Sequence, residues 1–212
     1  ISYNDQGLPE SKVTTYGSRQ VLFLGFEYDQ QGFITKLTTA GESVLIPLNY
    51  EIIYDESHIP SRISIYQGED LMQYFEYEYV EGESDPFAGE GNDYFDPIDF
   101  GGRVESVTQY DGDEKKIGTY RFSYDLENYL IRIDAYEYNS EKDNESEEGY
   151  FLLTYDEEGR SASFASYSKE EELQWRYRYA YDDLGNRVQE AKYDGEGALS
   201  MVDGFDWQLL FE

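Results

Sequence analysis

The chain has 212 residues, with 46 Asp and Glu against 16 Lys and Arg, a formal net charge of −30 and a pI near 4.1. This balance argues against nucleic acid and anionic membrane surfaces as partners, because a phosphate binder needs lysine and arginine to displace counterions. Aromatic residues make up 17% of the chain, so the acidic composition does not indicate disorder. The chain has no cysteine, which excludes disulfides, thiol chemistry and thiolate metal sites.

The first half of the chain introduces a turn motif that begins with Tyr-Asp. A strand is predicted from residue 8 to about residue 16, and a second from 21 to 28. At the end of the second strand, Asp29 can accept a hydrogen bond from the backbone two residues on, and Gly32 can take a positive φ. The motif therefore predicts a hairpin loop built around a type I turn, with the tyrosine anchoring the strand end.

Further copies of the motif begin at Tyr54, Tyr124, Tyr155 and Tyr181. The copy at Tyr54 lacks the glycine, and residues 57–60 are predicted to lengthen its loop. In the next copy Asn128 stands where glycine is expected, and asparagine tolerates positive φ better than most residues. Tyr155 and Tyr181 are as far apart as Tyr28 and Tyr54, a period typical of repeat architectures.

Two segments interrupt the repeat. An insertion is predicted at 81–101 in place of the third turn, and a second, acidic and serine-rich, at 139–149. Helix is predicted to have room only around 198–202. We therefore expect residues 1–212 to form a single all-β domain of roughly a dozen or more antiparallel strands in an up-and-down meander. A sheet that wide must curl, which favours a rolled or barrel-like form.

The Tyr-Asp-x-x-Gly-x-Ile/Val pattern resembles the YD repeats of Rhs and teneurin-type shells. With the opening Leu8-Pro9, the chain more closely resembles an uncharacterised family of secreted Bacteroidetes proteins with a porin-like fold. The resemblance covers about residues 8–193. It implies a rolled antiparallel sheet and an exported, periplasmic or cell-surface protein, tethered as a lipoprotein through a removed N-terminal segment. It implies no catalytic residues.

The charge pattern predicts that this porin-like chain does not span a membrane. Alternate strand positions carry charged residues such as Glu76 and Arg178, which would be costly if they faced lipid. Residues 1–7 carry neither the basic start nor the apolar core of a signal peptide. The alternative that a signal peptide has already been removed stays open. The longest apolar run, at 21–26, is too short for a membrane helix.

Aromatic residues supply the candidate binding residues. Trp175, Tyr177 and Tyr179 share one face of a predicted strand, and flat rings with polar tips suit stacking on sugars. The alternative is that they pack across strands as core. Tyr94 and Phe95 lie in the first insertion, which we expect to fold back and cap one end of the sheet.

The same insertion holds the candidate metal ligands Asp93, Asp96 and Asp99. Their hard oxygen atoms suit calcium, but their spacing does not match an EF-hand, and the alternative is an acidic loop. No other cofactor is predicted.

No catalytic residue can be chosen from the sequence. The many carboxylates could supply an acid and base pair for a glycoside, but the spacing selects no pair. His58 has no cysteine or serine partner in a recognised motif, which favours a surface loop histidine. We expect a noncatalytic exported binding or scaffold domain that engages a glycan or another surface protein. The alternative is a carbohydrate-active enzyme that uses a carboxylate pair.

Overall fold

A computed structural model describes residues 1–16, 19–41, 46–84 and 102–204 of the chain. Within these ranges all regular secondary structure is β, in fifteen strands whose order in the sheet follows their order in the sequence. Strand pairs with a defined register are antiparallel, from the first pair to the last. The predicted all-β antiparallel meander is confirmed, and its rolling stays a prediction.

The chain divides into two compact units, Ile1–Ile117 and Gly118–Glu212. The described part of the first unit contains β1 (Ser2–Tyr3), β2 (Pro9–Tyr16), β3 (Arg19–Tyr28), β4 (Ile34–Ala40), β5 (Leu48–Tyr54), β6 (Pro60–Gln67), β7 (Asp70–Ser84) and β8 (Gly102–Asp111). The boundary between the units falls within β9 (Lys116–Tyr124). The second unit continues with β10 (Leu130–Asn139), β11 (Asn144–Tyr155), β12 (Ser161–Ser168), β13 (Leu173–Tyr181), β14 (Arg187–Asp194) and β15 (Leu199–Gly204).

Two segments differ from their sequence-based interpretation. The prediction that a helix could form around 198–202 is wrong, because nearly all of this segment lies in β15, which pairs with β14. Backbone pairing with a neighbouring strand outweighs the helix preference of alanine, leucine and methionine here. The predicted insertion at 139–149 is largely a hairpin: Asn139 pairs with Asn144, and β11 begins there.

Each unit has few fully buried side chains among its described residues. In the first unit Ile52, Ile63, Tyr74 and Val107 are buried, whereas the buried residues described in the second unit are small, such as Thr119 and Ala165. Most other strand positions are half-buried on both faces, as in β4 and β12. The two faces therefore differ little in burial, and side chains that fold over the sheet supply much of its cover.

One turn geometry recurs at nine places among the described residues. An Asp, Asn or Ser side-chain oxygen accepts hydrogen bonds from the backbone N–H groups two and four residues later, as at Asp182, with Leu184 at 2.9 Å and Asn186 at 2.8 Å. The residue three positions on has positive φ. The turns begin at Asn4, Asp29, Asp55, Asp111, Asp125, Asp156, Ser168, Asp182 and Asp194. The Asp turn predicted from the sequence is confirmed.

The turn at Asp55 is regular, so the predicted lengthening of its loop at 57–60 is wrong. His58 occupies the glycine position with φ 63°, and β6 begins at Pro60 as the repeat requires. The exposed imidazole of His58 stacks on Phe33 at 5.1 Å between ring centroids. This stacking offsets part of the left-handed backbone strain that a residue with a Cβ carries.

Alanine at two turn glycines is expected to separate backbone strain from steric contact. Gly185→Ala places a methyl in open space at φ 87°, and should lower the free energy of unfolding by about 1–2 kcal/mol. Gly159→Ala has a similar φ of 79°, but its methyl would also collide with the Tyr129 hydroxyl, so the loss should be larger. Urea denaturation of both variants measures the difference, and equal losses would contradict the close contact at Gly159.

The carboxylate of Asp182 makes the stability of the protein depend on pH. The pKa of Asp182 lies below its ordinary value of 3.8, chiefly because the Asn186 side-chain amide and nearby backbone N–H groups donate to the carboxylate. A lowered pKa contributes stability above the ordinary value, and that contribution is lost as pH falls through the lowered pKa.

Asp182→Asn keeps a capping oxygen but removes this titration. The variant should be less stable than the wild type near pH 6, and the difference should shrink toward zero at about pH 2. Urea denaturation across this range provides the measurement. A difference that does not change with pH would count against the charged cap.

At one end of the hairpins, several tyrosine hydroxyls bond to the backbone just after the preceding turn. Tyr54, at the end of β5, donates to the Ile34 carbonyl at 2.8 Å, and Ile34 is the first residue of β4. The carbonyl always belongs to the residue five positions after the capping residue of the preceding turn. The five tyrosine locks are Tyr28 to Pro9, Tyr54 to Ile34, Tyr79 to Pro60, Tyr155 to Leu130 and Tyr181 to Ser161.

In three of these locks, the side chain that ends the turn packs against the ring of the lock tyrosine. Phe33 lies 5.4 Å from Tyr54, and Tyr129 lies 4.7 Å from Tyr155, between ring centroids. The Arg160 guanidinium takes the same place over Tyr181 at 4.7 Å. Burial raises the pKa of Tyr54, Tyr155 and Tyr181, as expected for phenols withdrawn from water.

Removing one lock hydroxyl should measurably weaken the sheet. Tyr155→Phe keeps the ring but leaves the Leu130 carbonyl without this donor, so we expect a loss of about 1 kcal/mol in the free energy of unfolding. Tyr136→Phe is the matched control, because the Tyr136 hydroxyl makes no hydrogen bond to another described residue. Thermal or urea unfolding compares the two, and an equal effect would show that the hydrogen bond contributes nothing.

Candidate functional site

Aromatic side chains of three neighbouring strands form a continuous cluster on one face of the second unit. The Phe151 ring of β11 lies 5.6 Å from Phe164 of β12, and Phe164 lies 5.3 Å from Trp175 of β13. The register explains the cluster, since Phe164 pairs directly with Tyr177. We call this surface the aromatic face, made of Phe151, Phe164, Trp175, Tyr177 and Tyr179.

The three binding residues predicted from the sequence lie together along β13. Trp175, Tyr177 and Tyr179 occupy alternate positions, which spaces them by about 7 Å along the strand. All three are half-buried, so part of each side chain stays accessible to solvent. Trp175 meets Tyr177 edge to face, with ring centroids 5.4 Å apart and ring planes at 73°. The strand therefore presents a linear row of aromatic side chains.

Charged side chains of β14 border this row. Lys192 Nζ lies 5.3 Å from the centroid of the Tyr177 ring, and the Arg187 guanidinium lies 5.2 Å from that of Tyr179. Glu190 pairs with Arg187 at 3.5 Å. Burial raises the pKa of Tyr179, and Glu190 raises it further while Arg187 lowers it. The row thus combines ring surface with donors and acceptors for hydrogen bonds.

The opposite face of the second unit carries a stack that the sequence analysis did not identify. Arg132 of β10 lies over Tyr150 of β11 at 4.0 Å, and Tyr150 stacks on Tyr167 of β12 with ring planes at 11°. Arg132 also pairs with Asp134 at 2.6 Å, and Arg176 of β13 donates to the Tyr167 hydroxyl at 2.9 Å. Neighbouring side chains cover the faces of these rings, so they stabilise the sheet rather than offer stacking surface.

The first unit repeats this stack with the same register. The Arg62 guanidinium lies 3.6 Å from the centroid of Tyr74, and Tyr74 stacks on Tyr110 at 4.5 Å. Ser64 takes the place of Asp134 and accepts from Arg62 Nε at 3.2 Å. Burial is the main cause that raises the pKa of Tyr74 and Tyr110, and Glu76 adds to it. The sequence signal for both stacks is the same. An arginine stands two residues before a Ser or Asp on one strand, and the next strand carries a tyrosine opposite that Ser or Asp.

A shallow pocket of about 550 Å³ lies beside the first two turns of the first unit. Two of its carboxylates already have structural tasks: Asp29 caps its turn, and Glu27 approaches Lys36 at 3.8 Å. The lining residues are Asn4, Gln6, Glu10, Phe26, Glu27, Tyr28, Asp29 and Gln30. The pocket was not predicted, because it depends on how two turns separated in sequence lie side by side.

The remaining predicted site residues lie outside the described residues. These are the aromatic candidates Tyr94 and Phe95 and the calcium candidates Asp93, Asp96 and Asp99. In residues 1–16, 19–41, 46–84 and 102–204, no three His, Asp or Glu side chains cluster as metal ligands would. Calcium binding by the insertion therefore stays a prediction. The same ranges contain no helix with the length and apolar character needed to cross a membrane.

Comparison with known proteins finds no matching family model and no matching curated protein. Among solved structures, a porin-like protein from Bacteroides uniformis is 12% identical, with a TM-score of 0.42 over 91% of this chain and 92% of that one. A DUF3836 family protein from Bacteroides vulgatus is 15% identical, with a TM-score of 0.28 over 62% and 98%. A protein of unknown function from Bacteroides fragilis is 10% identical, with a TM-score of 0.29 over 89% and 94%. All three of these neighbours are Bacteroides proteins.

Proposed function

We propose that the protein is a noncatalytic binding domain whose aromatic row on β13 binds a glycan. The observation that carries this proposal is the row itself: Trp175, Tyr177 and Tyr179 are half-exposed, lie in line along one strand and are bordered by charged side chains. Fully buried rings would serve only as core, whereas these keep accessible surface.

The chemistry of the row suits a sugar chain. Aromatic rings offer flat apolar surface for the C–H faces of a pyranose, and tyrosine hydroxyls add polar tips. Lys192 and Glu190 can exchange hydrogen bonds with sugar hydroxyls at the border of the row. Because the rings follow the strand direction, the row favours an extended oligosaccharide over a compact small molecule.

We further propose that the domain acts outside the cytoplasm, at the cell surface or in the periplasm, carried as a lipoprotein. The Tyr-Asp repeat and its resemblance to secreted Bacteroidetes proteins support this location. The absence of cysteine is compatible with an oxidising compartment. A surface location would also give the aromatic row access to extracellular glycans.

A thermal-shift screen against a glycan library tests the proposal, since a ligand that binds only the native state raises apparent stability by mass action. We expect one class of neutral oligosaccharide to raise the unfolding temperature of the wild type, and Trp175→Ala to abolish that shift. Tyr193→Ala is the matched control, because Tyr193 is half-buried on the adjacent strand but faces the other side of the sheet. It should lower the unfolding temperature without removing the glycan shift.

The same screen separates the proposal from its alternatives. If no glycan shifts the wild type, or if Trp175→Ala keeps the full shift, the aromatic row is not the binding site. Release of reducing ends during incubation with the active glycan would favour the carbohydrate-active enzyme with a carboxylate pair. Running the screen with calcium and with chelator also tests the predicted site at Asp93, Asp96 and Asp99.

A further inference from the structure

An arginine patch lies on the second unit, on the face opposite the aromatic row. Arg176 and Arg178 occupy alternate positions of β13, interleaved with the aromatic side chains that point the other way. Neither guanidinium has a carboxylate within ion-pair distance among the described residues. By contrast, Arg121, Arg132 and Arg160 each pair with a carboxylate at 2.6–2.9 Å.

The strands on both sides of the patch contribute no acidic residue to it. Arg176 lies between Ala165 of β12 and Tyr193 of β14, and Arg178 lies between Ser163 and Ala191. In a chain with 46 acidic residues against 16 basic ones, this stretch of sheet is locally positive. Its other polar groups are hydroxyls and an amide, contributed by Ser163, Tyr167, Gln189 and Tyr193.

The Arg176 guanidinium is partly withdrawn from water. One of its terminal nitrogens donates to the Tyr167 hydroxyl at 2.9 Å, while its Nε is buried without an acceptor among the described residues. A cation that has lost hydration and has no counter-charge gains more from an approaching anion than a fully hydrated cation does. The remaining N–H groups of Arg176, with the exposed Arg178 guanidinium beside them, are donors without a carboxylate partner.

We propose that the arginine patch of Arg176 and Arg178 binds the oxyanion group of a ligand, a carboxylate or a sulfate. Both oxyanions accept paired hydrogen bonds from a guanidinium, and the Tyr167 hydroxyl, which accepts from Arg176, keeps its own proton to donate. The site is independent of the aromatic row, because alternate residues of β13 place the two surfaces on opposite faces.

The net charge of the chain does not prevent anion binding at this point. Repulsion from distant carboxylates is screened over about 8 Å at physiological salt, whereas contact with two unpaired guanidinium groups is local. The high net charge should therefore slow the approach of an anion and lower its affinity without removing the site. We expect no oxyanion to bind at Arg121, Arg132 or Arg160, because a carboxylate of the protein already pairs with each of them.

The test uses the arginine Nε–H signals in proton–nitrogen correlation spectra of the full chain, with ionic strength held constant by sodium chloride. We expect sodium sulfate or sodium glucuronate to shift the signals of Arg176 and Arg178, and glucose to leave them unchanged. A response to glucuronate alone assigns a carboxylate ligand, and a response to sulfate alone assigns a sulfated one. Unmoved signals with both anions, or equal shifts with glucose, would overturn the proposal.

Variants then locate the site. Arg178→Gln, at an exposed position that should tolerate the change, and Arg176→Gln should each weaken the affinity for the active anion about tenfold or more. Arg176→Lys keeps the charge but loses the planar fork, so its affinity should fall between those of the wild type and Arg176→Gln. Arg187→Gln is the control, since it changes the net charge equally but lies beside the aromatic row. Equal weakening by Arg187→Gln would reveal a general charge effect and contradict a local site.

Discussion

The described fold depends on the hydrogen bond from a strand-end tyrosine to the carbonyl that leaves the preceding turn. The end of a sheet is where backbone groups most easily lose their partners, and an unpaired carbonyl under a ring is unfavourable. The tyrosine satisfies that carbonyl with its hydroxyl and covers it with its ring. The side chain at the exit of the turn then packs on the same ring, as Phe33 does on Tyr54. The lock at Tyr54 therefore joins two turns by both polar and apolar contact.

The thin core explains why both faces of the sheet carry large side chains. Few residues are fully buried, so the sheet gains cover from arginine and tyrosine side chains that lie across neighbouring strands. In both units the same diagonal register places an arginine on a pair of stacked tyrosines. Because strand residues alternate between faces, β13 presents aromatic rings on one side and arginines on the other. A single strand thereby supplies two chemically different surfaces.

Local features of this structure could be predicted from the sequence, and features that depend on register could not. The Asp cap, the positive φ of Gly185, the antiparallel meander and the common face of Trp175, Tyr177 and Tyr179 all follow from spacing along one segment. The acceptor of each lock tyrosine belongs to a strand that began 19 to 25 residues earlier. Its identity requires the pairing register, which no single segment encodes.

The errors have the same origin. Residues 57–60 were interpreted as a longer loop because the motif lacks its glycine, yet His58 takes the positive φ and stacks on Phe33 in the neighbouring turn. The acidic segment at 139–149 was interpreted as an insertion because its composition suits a loop. Its pairing with β10 shows that position beside an existing strand can outweigh composition.

The lock pattern also bears on how the chain acquires its structure. Within each unit, every lock and every strand pairing with a defined register connects segments that are close in sequence. Stability in such an array is approximately a sum over neighbouring elements, so a hairpin can form as soon as the one before it exists. Short loops between partners also keep the entropy of closure low and favour rapid folding for an all-β chain. Where a lock is present, its hydrogen bond adds to the interface that a new hairpin forms with the hairpin before it.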